Sequence, residues 1–210
     1  VTKLETRRQE IVQRLTEHVL VEGLNAASLR PLAKAAGTSD RMLLYYFADK
    51  AEIITAILEE ISTRLVLKLG DRVAPELLPV DVLRKQFAAI LFEQELWPYM
   101  RIWLEVASRA AMGDPYFRAV GEQIGRGFYE WGRAQLLSDS EEQRDVDAAR
   151  LLVTIEGMLL LKSLGLDDIN AKAVFFASQA ALPMMIAQQQ GAIISLASMA
   201  AKVGSRNNLP

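Results

Sequence analysis

The sequence predicts an all-α protein. Apolar residues recur at helical spacing along the chain, and no segment shows the sustained alternation of β-branched and polar residues that is typical of strands. Residues that cap helices, chiefly Ser and Asp, stand before the apolar stretches, and glycines stand after several of them. With 51% hydrophobic residues, the chain can bury a sizeable core.

Glycine and cap residues set the bounds of the first three predicted helices. Helix one is predicted over about residues 3–22 and ends at Gly23. Ser28 is a natural N-cap for helix two, and Gly37 can adopt the positive φ that closes its far end. Ser39 then caps a short helix three. This order predicts a helix-turn-helix, a unit whose last helix can enter the major groove of DNA.

Helix four joins this small unit to the rest of the chain. Asp49 caps it, and Glu52 completes a capping-box-like pair. The remaining segments follow in order: helix four to about residue 70, a linker over 71–79, helix five over 80–95, helix six over 97–111, helix seven from Pro115 to about 137 after the cap Asp114, helix eight over 141–164, helix nine from about Asn170 with a kink or split at Pro183, and a last segment over 192–201.

Missing residue types exclude several kinds of site. The chain has no Cys and one His, so disulfides, thiolate metal sites, histidine zinc sites and a Ser-His relay are not expected. We therefore predict no metal, no cofactor and no enzymatic activity. The enzymatic alternative is an all-α carboxylate enzyme using Glu93, Glu105 and Glu156, but no Glu-x-x-His pair supports it.

The distribution of charge has the sign expected for a DNA-binding N-terminal part. Residues 1–50 hold eight Lys or Arg and six acids, so their net charge of +2 leaves −4 for the rest of a chain whose net charge is −2. The start of the chain is charged and shows no signal peptide. The longest apolar run, 173–187, is shorter than the roughly 18 residues that a membrane span needs. We expect a cytoplasmic protein with no membrane partner.

Spaced residues of the predicted helix-turn-helix unit carry a family resemblance. They are Arg8-x-x-Ile11, Ser28-Leu29-Arg30-x-Leu32-Ala33-x-x-Ala36-Gly37, Ser39, Leu43, Tyr45-Tyr46-Phe47 and Asp49-Lys50-x-Glu52-Ile53. Their order resembles the N-terminal domain of the TetR family of bacterial transcriptional repressors over roughly residues 7–58. The rest of the chain is similar to that family only in being helical and apolar. The resemblance therefore implies DNA binding but gives no identity for a ligand.

The resemblance implies that helix three reads base edges. Arg41 can bind guanine O6 and N7 in bidentate fashion. Asp40 departs from the family pattern and would either accept from cytosine N4 or pair with Arg41. Leu44 would either meet a thymine methyl group or pack against helix one. The predicted base and phosphate contacts are Ser28, Thr38, Ser39, Asp40, Arg41, Met42, Leu44, Tyr45, Tyr46 and Lys50.

Aromatic and methionine side chains are concentrated in helices five to eight. Such residues are most often plain core, but they also form adaptable apolar cavity walls. The resemblance implies that these helices enclose a small-molecule effector. The predicted ligand contacts are Phe92, Trp97, Met100, Trp103, Phe128, Trp131 and Met158, and the polar groups that could orient a ligand are Glu93, Glu105, Arg109, Gln123 and Glu156. Because acids outnumber Arg among the latter, the effector is expected to be largely hydrophobic and neutral or cationic.

Helix eight is apolar nearly all round over 151–161, so one of its faces needs a partner outside its own domain. The resemblance implies a homodimer in which helices eight and nine of two subunits form a four-helix bundle, with Leu159 in the seam. Two recognition helices about one DNA turn apart would then read a palindrome.

These observations predict two domains: a helix-turn-helix DNA-binding domain over 1–48, and a helical ligand-binding and dimerisation domain over 49–210, with helix four (49–70) connecting the two. The predicted function is that of a ligand-responsive transcriptional repressor. It would bind a palindromic operator as a dimer and would be released by a small, largely hydrophobic effector. The alternative is a constitutive helix-turn-helix repressor, or a protein-binding regulator, with no small-molecule ligand.

Overall fold

The computed structural model describes residues 2–70, 76–91, 93–166 and 168–169, and this part of the chain is helical, as the sequence predicts. One isolated bridge, between Leu78 and Leu136, is the nearest approach to a strand there. The elements are α1 Lys3–Glu22, a 3₁₀ turn Leu24–Ala26, α2 Leu29–Ala36, α3 Asp40–Tyr46, α4 Lys50–Gly70, α5 Val80–Leu91, α6 Trp97–Ala111, α7 Pro115–Arg133 and α8 Glu141–Ser163.

The predicted caps of the first helices are largely confirmed. Gly23 ends α1 with φ 85°, and Gly37 ends α2 in the left-handed region with φ 66°. The Ser39 hydroxyl accepts a hydrogen bond from the Met42 N–H at 3.3 Å. Ser28 occupies the N-cap position of α2, but its side chain makes no capping hydrogen bond. The Ser28 hydroxyl is therefore not used by the helix that it precedes.

The start of α4 has its capping pair in a shifted form. Asp49 Oδ1 accepts from the Glu52 N–H at 2.8 Å, as predicted. Glu52 Oε2, however, accepts from the Ala48 N–H at 2.6 Å and not from Asp49. The Ala48 N–H and then Arg8, by their hydrogen bonds, lower the pKa of the Glu52 carboxyl. Ala48, the residue before the cap, is thus also held by a hydrogen bond to Glu52.

Two predicted helices are too long. Helix five ends at Leu91 and not at residue 95, and helix seven ends at Arg133 and not at residue 137. After Arg133 the chain turns, so that the Leu78 N–H donates to the Gln135 C=O at 2.9 Å and the Leu137 N–H donates to the Leu78 C=O at 2.8 Å. This pairing with a distant residue ends α7. The predicted helix nine and the segment 192–201 lie outside the described residues.

Packing divides the chain into a compact unit that ends at Glu156 and a second that begins at Gly157. Within the first unit we call residues 2–47 the head and residues 76–156 the body, and α4 joins them. The largest side chains buried in the head are Ile11, Leu15, Leu32, Leu43 and Phe47, and those buried in the body are Leu83, Leu96, Ile102 and Leu136. The described helices include none that is long and apolar enough to cross a membrane.

Candidate nucleic-acid interface

Helix α3 is anchored on one side and open on the other. Leu43 and, just after the helix, Phe47 are buried in the core of the head. On the opposite side, Leu44 is 44% exposed and Tyr45 is 68% exposed, with its ring edge-on to Tyr46 at 5.2 Å. Leu44 therefore has a surface available to a partner and is not enclosed by helix one.

The structure places the predicted DNA contacts on the start of α2, the α2–α3 turn, α3 and the first residue of α4. Thr38 and Tyr46 are half-buried; the others, which are exposed, are Ser28, Ser39, Asp40, Arg41, Met42, Leu44, Tyr45 and Lys50. The pairing of Asp40 with Arg41, one of two predicted roles for that carboxylate, is not among the ion pairs of the described chain.

Some cations of the head hold the head together. Arg8 donates to Glu52 Oε1 at 2.8 Å and lies 4.6 Å from the centre of the Phe47 ring, so it ties α1 to the start of α4. Arg14 donates to the Ala36 C=O at 3.2 Å, so it caps the end of α2. These two arginines are structural.

Other cations in this part of the chain make no such contacts with the protein itself. Five exposed cations of the head and of the start of α4 make neither an ion pair nor a hydrogen bond with the described chain: Lys3, Arg30, Lys34, Arg41 and Lys50. All but Lys3 lie between α2 and the start of α4. Arg30 and Lys34, both on α2, are absent from the predicted contacts. Because the fold leaves these two side chains without a partner, we add them to the candidate surface.

A row of polar side chains on α6 grips the end of α1. Arg101, Glu105 and Arg109 are spaced by four residues, so they share one face of the helix. Arg101 Nη2 donates to the C=O groups of both Leu20 and Val21, at 2.8 Å each. Since carbonyls at a helix C-terminus lack internal partners and α1 has no basic residue in its last turn, Arg101 supplies the missing cation from α6.

The same row holds the connection from α1 to α2. Glu105 Oε2 accepts from the Leu24 N–H at 2.8 Å, and Arg109 Nη2 donates to Asn25 Oδ1 at 2.8 Å. A Cβ at Gly23 would lie 2.7 Å from Glu105 Oε1 and would displace that carboxylate, and the positive φ of Gly23 itself favours glycine. Glu105, predicted to orient a ligand, instead positions the head.

A second contact ties α7 to α4. The Tyr116 hydroxyl lies 2.8 Å from Thr55 Oγ1 and 3.2 Å from the Ala51 C=O, which it can reach as a donor. Burial raises the pKa of the Tyr116 hydroxyl above its usual value. Polar contacts from the body therefore hold the head through α6 and hold α4 through α7.

Two of the predicted ligand contacts, Trp103 and Trp131, take part in side-chain contacts between helices of the body. The Trp103 indole N–H donates to Glu156 Oε2 at 2.8 Å, and the rings of Phe87 and Trp131 are stacked at 5.0 Å. Burial raises the pKa of Glu156, although its hydrogen bond from Trp103 opposes that shift. Of the remaining residues in the predicted set, Met100 is buried; Trp97, Phe128 and Met158 are half-buried; and Phe92 lies outside the described residues.

Helix α8 has an apolar stripe that the described chain leaves open. Val146, Val153 and Leu160 recur at intervals of seven residues, and Val153 is 71% exposed. Leu159, predicted to stand in a dimer seam, is 2% exposed and is buried within its own chain. The prediction for Leu159 is wrong because a helix that is apolar all round gives no sign of which face points inward.

The head also matches a known family. Residues 18–57, which run from α1 through α2 and α3 into α4, match the model described as "Bacterial regulatory proteins, tetR family". Over these residues the chain is similar to the TetR family. The match covers the unpaired cations Arg30, Lys34, Arg41 and Lys50, so the candidate surface lies within the family's own domain.

The proteins that this chain resembles over most of its length are described as transcriptional regulators. The HTH-type transcriptional regulator PksA of Bacillus subtilis (strain 168) is 25% identical over 161 residues, which are 74% of this chain and 78% of PksA. A transcriptional regulator from Rhodococcus sp. Rha1 shares the fold with a TM-score of 0.61 and 21% identity, over 77% of this chain and 86% of that one. A Rhodococcus sp. protein described as a TetR-family transcriptional regulator gives 0.57 and 17%, over 76% and 88%.

The last part of the chain matches a different family model. Residues 166–210 match that of the short chain dehydrogenases, and nearly all of them lie outside the described residues. A stretch of 45 residues is shorter than the two βαβαβ halves of a dinucleotide-binding fold, and this sequence contains no G-x-G-x-x-G motif. This match gives no support for the predicted helix nine, so among the described helices α8 is the one that offers a surface for a dimer.

Proposed function

We propose that this regulator binds a palindromic operator in the bacterial cytoplasm as a homodimer and represses transcription, and that a small, largely hydrophobic effector releases it. The observation that carries the proposal is the outward face of α3 beside four unpaired cations. A surface with excess positive charge and a protruding helix fits the major groove of a polyanion.

Within that surface, each residue type suits a different part of DNA. Arg41 is the side chain suited to bidentate binding of guanine, and Met42 and Leu44 offer apolar contact to a thymine methyl group. Ser28 and Thr38 supply hydroxyls, and Tyr45 and Tyr46 supply phenols, at the edges of the helix-turn-helix. With Arg30, Lys34 and Lys50, these side chains would bind phosphates and fix the register of the head.

A dimer follows from the small size of the reading helix. Helix α3 has seven residues, so one copy contacts few bases. Two copies related by a two-fold axis double the length of sequence read. The exposed stripe of Val146, Val153 and Leu160 on α8 offers the apolar surface that such a dimer would bury.

The body supports a response to an effector. Phe87 of α5 stacks on Trp131 of α7, and Trp103 of α6 donates to Glu156 of α8, a carboxylate whose pKa is raised because burial opposes its charge. A neutral or cationic apolar compound fits these groups. A compound that binds more tightly to a state in which the spacing of the two heads does not match the operator lowers operator affinity by linkage. Helix α4, which joins head and body, would transmit this change.

One observation favours the alternative, a constitutive repressor without a ligand. Trp103 and Glu156 satisfy each other, and Phe87 and Trp131 stack on each other. The aromatic groups could thus be plain core.

Selection from a random DNA duplex library tests the function directly. We expect enrichment of a palindrome whose half-sites are centred about 10 base pairs, or a multiple of that, apart. Failure to enrich any sequence would contradict the proposal. Tryptophan fluorescence during a screen of lipophilic amines, paired with operator binding, then tests the effector. A compound that quenches fluorescence yet leaves operator affinity unchanged supports the constitutive alternative, because equal affinity for both states shifts nothing.

A further inference from the structure

A cavity lies at the joint between head and body, away from the aromatic groups of α5 to α8. Its volume is about 340 Å³, at the lower end of the range for small-molecule sites. None of the three tryptophans lines it, so it is separate from the effector site proposed above. The head, α4 and the α6–α7 region each contribute to its lining residues: Leu24, Ala27, Lys50, Ala51, Ile54, Arg109, Tyr116 and Phe117.

The lining has a distinct chemistry. Leu24, Ile54 and Phe117 give apolar walls, and two cations, Arg109 and Lys50, are present without any carboxylate. Arg109 lies 4.8 Å from the centre of the Phe117 ring and donates one hydrogen bond, to Asn25. Since a guanidinium has five N–H donors, Arg109 has donors left for a second acceptor.

We propose that this cavity is a ligand site for a small aromatic carboxylate. The ring would lie against Ile54 and Phe117, and the carboxylate would bind Arg109 with Lys50 as a second cation. Apolar walls with a few placed polar groups are the usual composition of such sites, and a guanidinium is the side chain best matched to a carboxylate. This anionic ligand differs in charge from the neutral or cationic effector of the body.

The position of the cavity links it to DNA binding. Lys50, the first residue of α4, is one of the four unpaired cations of the candidate DNA surface, and Arg109 and Tyr116 bind the head and α4, respectively. A carboxylate in the cavity would compete with a DNA phosphate for Lys50 and would alter the contact of Arg109 with the head. This link to DNA rests on the proposed function, whereas binding of the ligand does not.

Titration calorimetry of the full chain with 2-naphthoate tests the site, with 2-naphthalenemethanol as the neutral probe. We expect one naphthoate bound per chain and at least tenfold weaker binding of the alcohol. Arg109→Gln should weaken naphthoate at least tenfold because it removes the charge. Ala51→Leu should abolish binding because it fills the cavity while leaving Arg109 in place. Arg118→Gln, which removes an exposed cation outside the lining, is the matched control and should bind like the unmodified chain.

Thermal unfolding of each variant shows that it is folded before it is titrated. Equal binding of acid and alcohol, or unchanged naphthoate binding in both Arg109→Gln and Ala51→Leu, would overturn the proposal. In a second arm, saturating naphthoate should lower operator affinity of the unmodified chain but not of Ala51→Leu. If naphthoate binds as expected but operator affinity does not change, the link through Lys50 is wrong. If the chain selects no operator at all, the proposed function fails while the calorimetric result stands.

Discussion

Helices α3 and α8 both present large apolar side chains that the described chain does not cover, yet they suit different partners. Leu44 and Tyr45 on α3 stand beside cations with no internal partner, whereas Val153 and Leu160 on α8 form a stripe with a seven-residue repeat. The first surface fits a polyanion and the second fits an identical helix. Exposed apolar area alone therefore does not indicate which partner a surface binds. The charge of the neighbouring residues and the sequence spacing of the apolar ones do.

The largest expected effect comes from a charge in the α8 stripe. Val153→Arg should convert the proposed dimer to monomer, since a buried unpaired charge is strongly destabilising. Loss of the second head should lower operator affinity by about 10²–10⁴-fold, the usual gain from linking two binding modules. Analytical ultracentrifugation and operator binding measure the two effects.

The matched control for that variant is Met112→Arg, which places the same charge at an exposed apolar residue outside the stripe. It should leave both the oligomeric state and operator affinity unchanged. An unmodified chain that sediments as a monomer at micromolar concentration would remove the proposed role of α8 in a dimer.

On α3, Arg41→Ala should cost about 1–3 kcal/mol of operator binding and relax base preference at one position in each half-site. The physical reason is loss of a bidentate contact to one guanine. Binding to a set of operators, each with one base pair changed, measures it. Uniform weakening across the set would show that Arg41 binds phosphate instead.

A smaller, sequence-independent effect is expected at the start of α4. Lys50→Ala should weaken specific and random DNA alike and reduce the salt slope, log K against log salt, by about 0.9. Arg118→Ala, which removes an exposed cation of α7, is the control and should leave the slope unchanged. If Lys50→Ala also keeps the original slope, Lys50 does not contact DNA.

The smallest effect concerns a group on neither surface. Burial raises the pKa of Glu156 in the folded chain, so the free energy of unfolding should fall as pH rises from the unfolded pKa through the folded one. Glu156→Gln keeps an acceptor for Trp103 but cannot titrate. The melting temperature of Glu156→Gln, relative to that of the unmodified chain, should therefore rise as the pH is raised from 4 to 7. A difference that is constant over this range would contradict the shift.

Local chemistry was sufficient to predict the helices whose ends are local. Gly23 ends α1 where predicted, and α6 has the predicted bounds with Pro98 in its first turn. The end of α7 depends on pairing with Leu78, more than fifty residues earlier in the chain, so the local sequence does not predict it. The candidate site divides in the same way. The exposed face of α3 follows from helical spacing. That Arg30 and Lys34 make no ion pair or hydrogen bond with the described chain can be seen only in the folded structure.

The grip of α6 on the head has a consequence for how such regulators diversify. Arg101 and Glu105 bind main-chain atoms of Leu20, Val21 and Leu24, not their side chains. A backbone is the same in every protein, so these hydrogen bonds do not depend on which side chains stand at the three positions. Side chains on the exposed face of α3 can therefore change without altering the contact by which α6 holds the head.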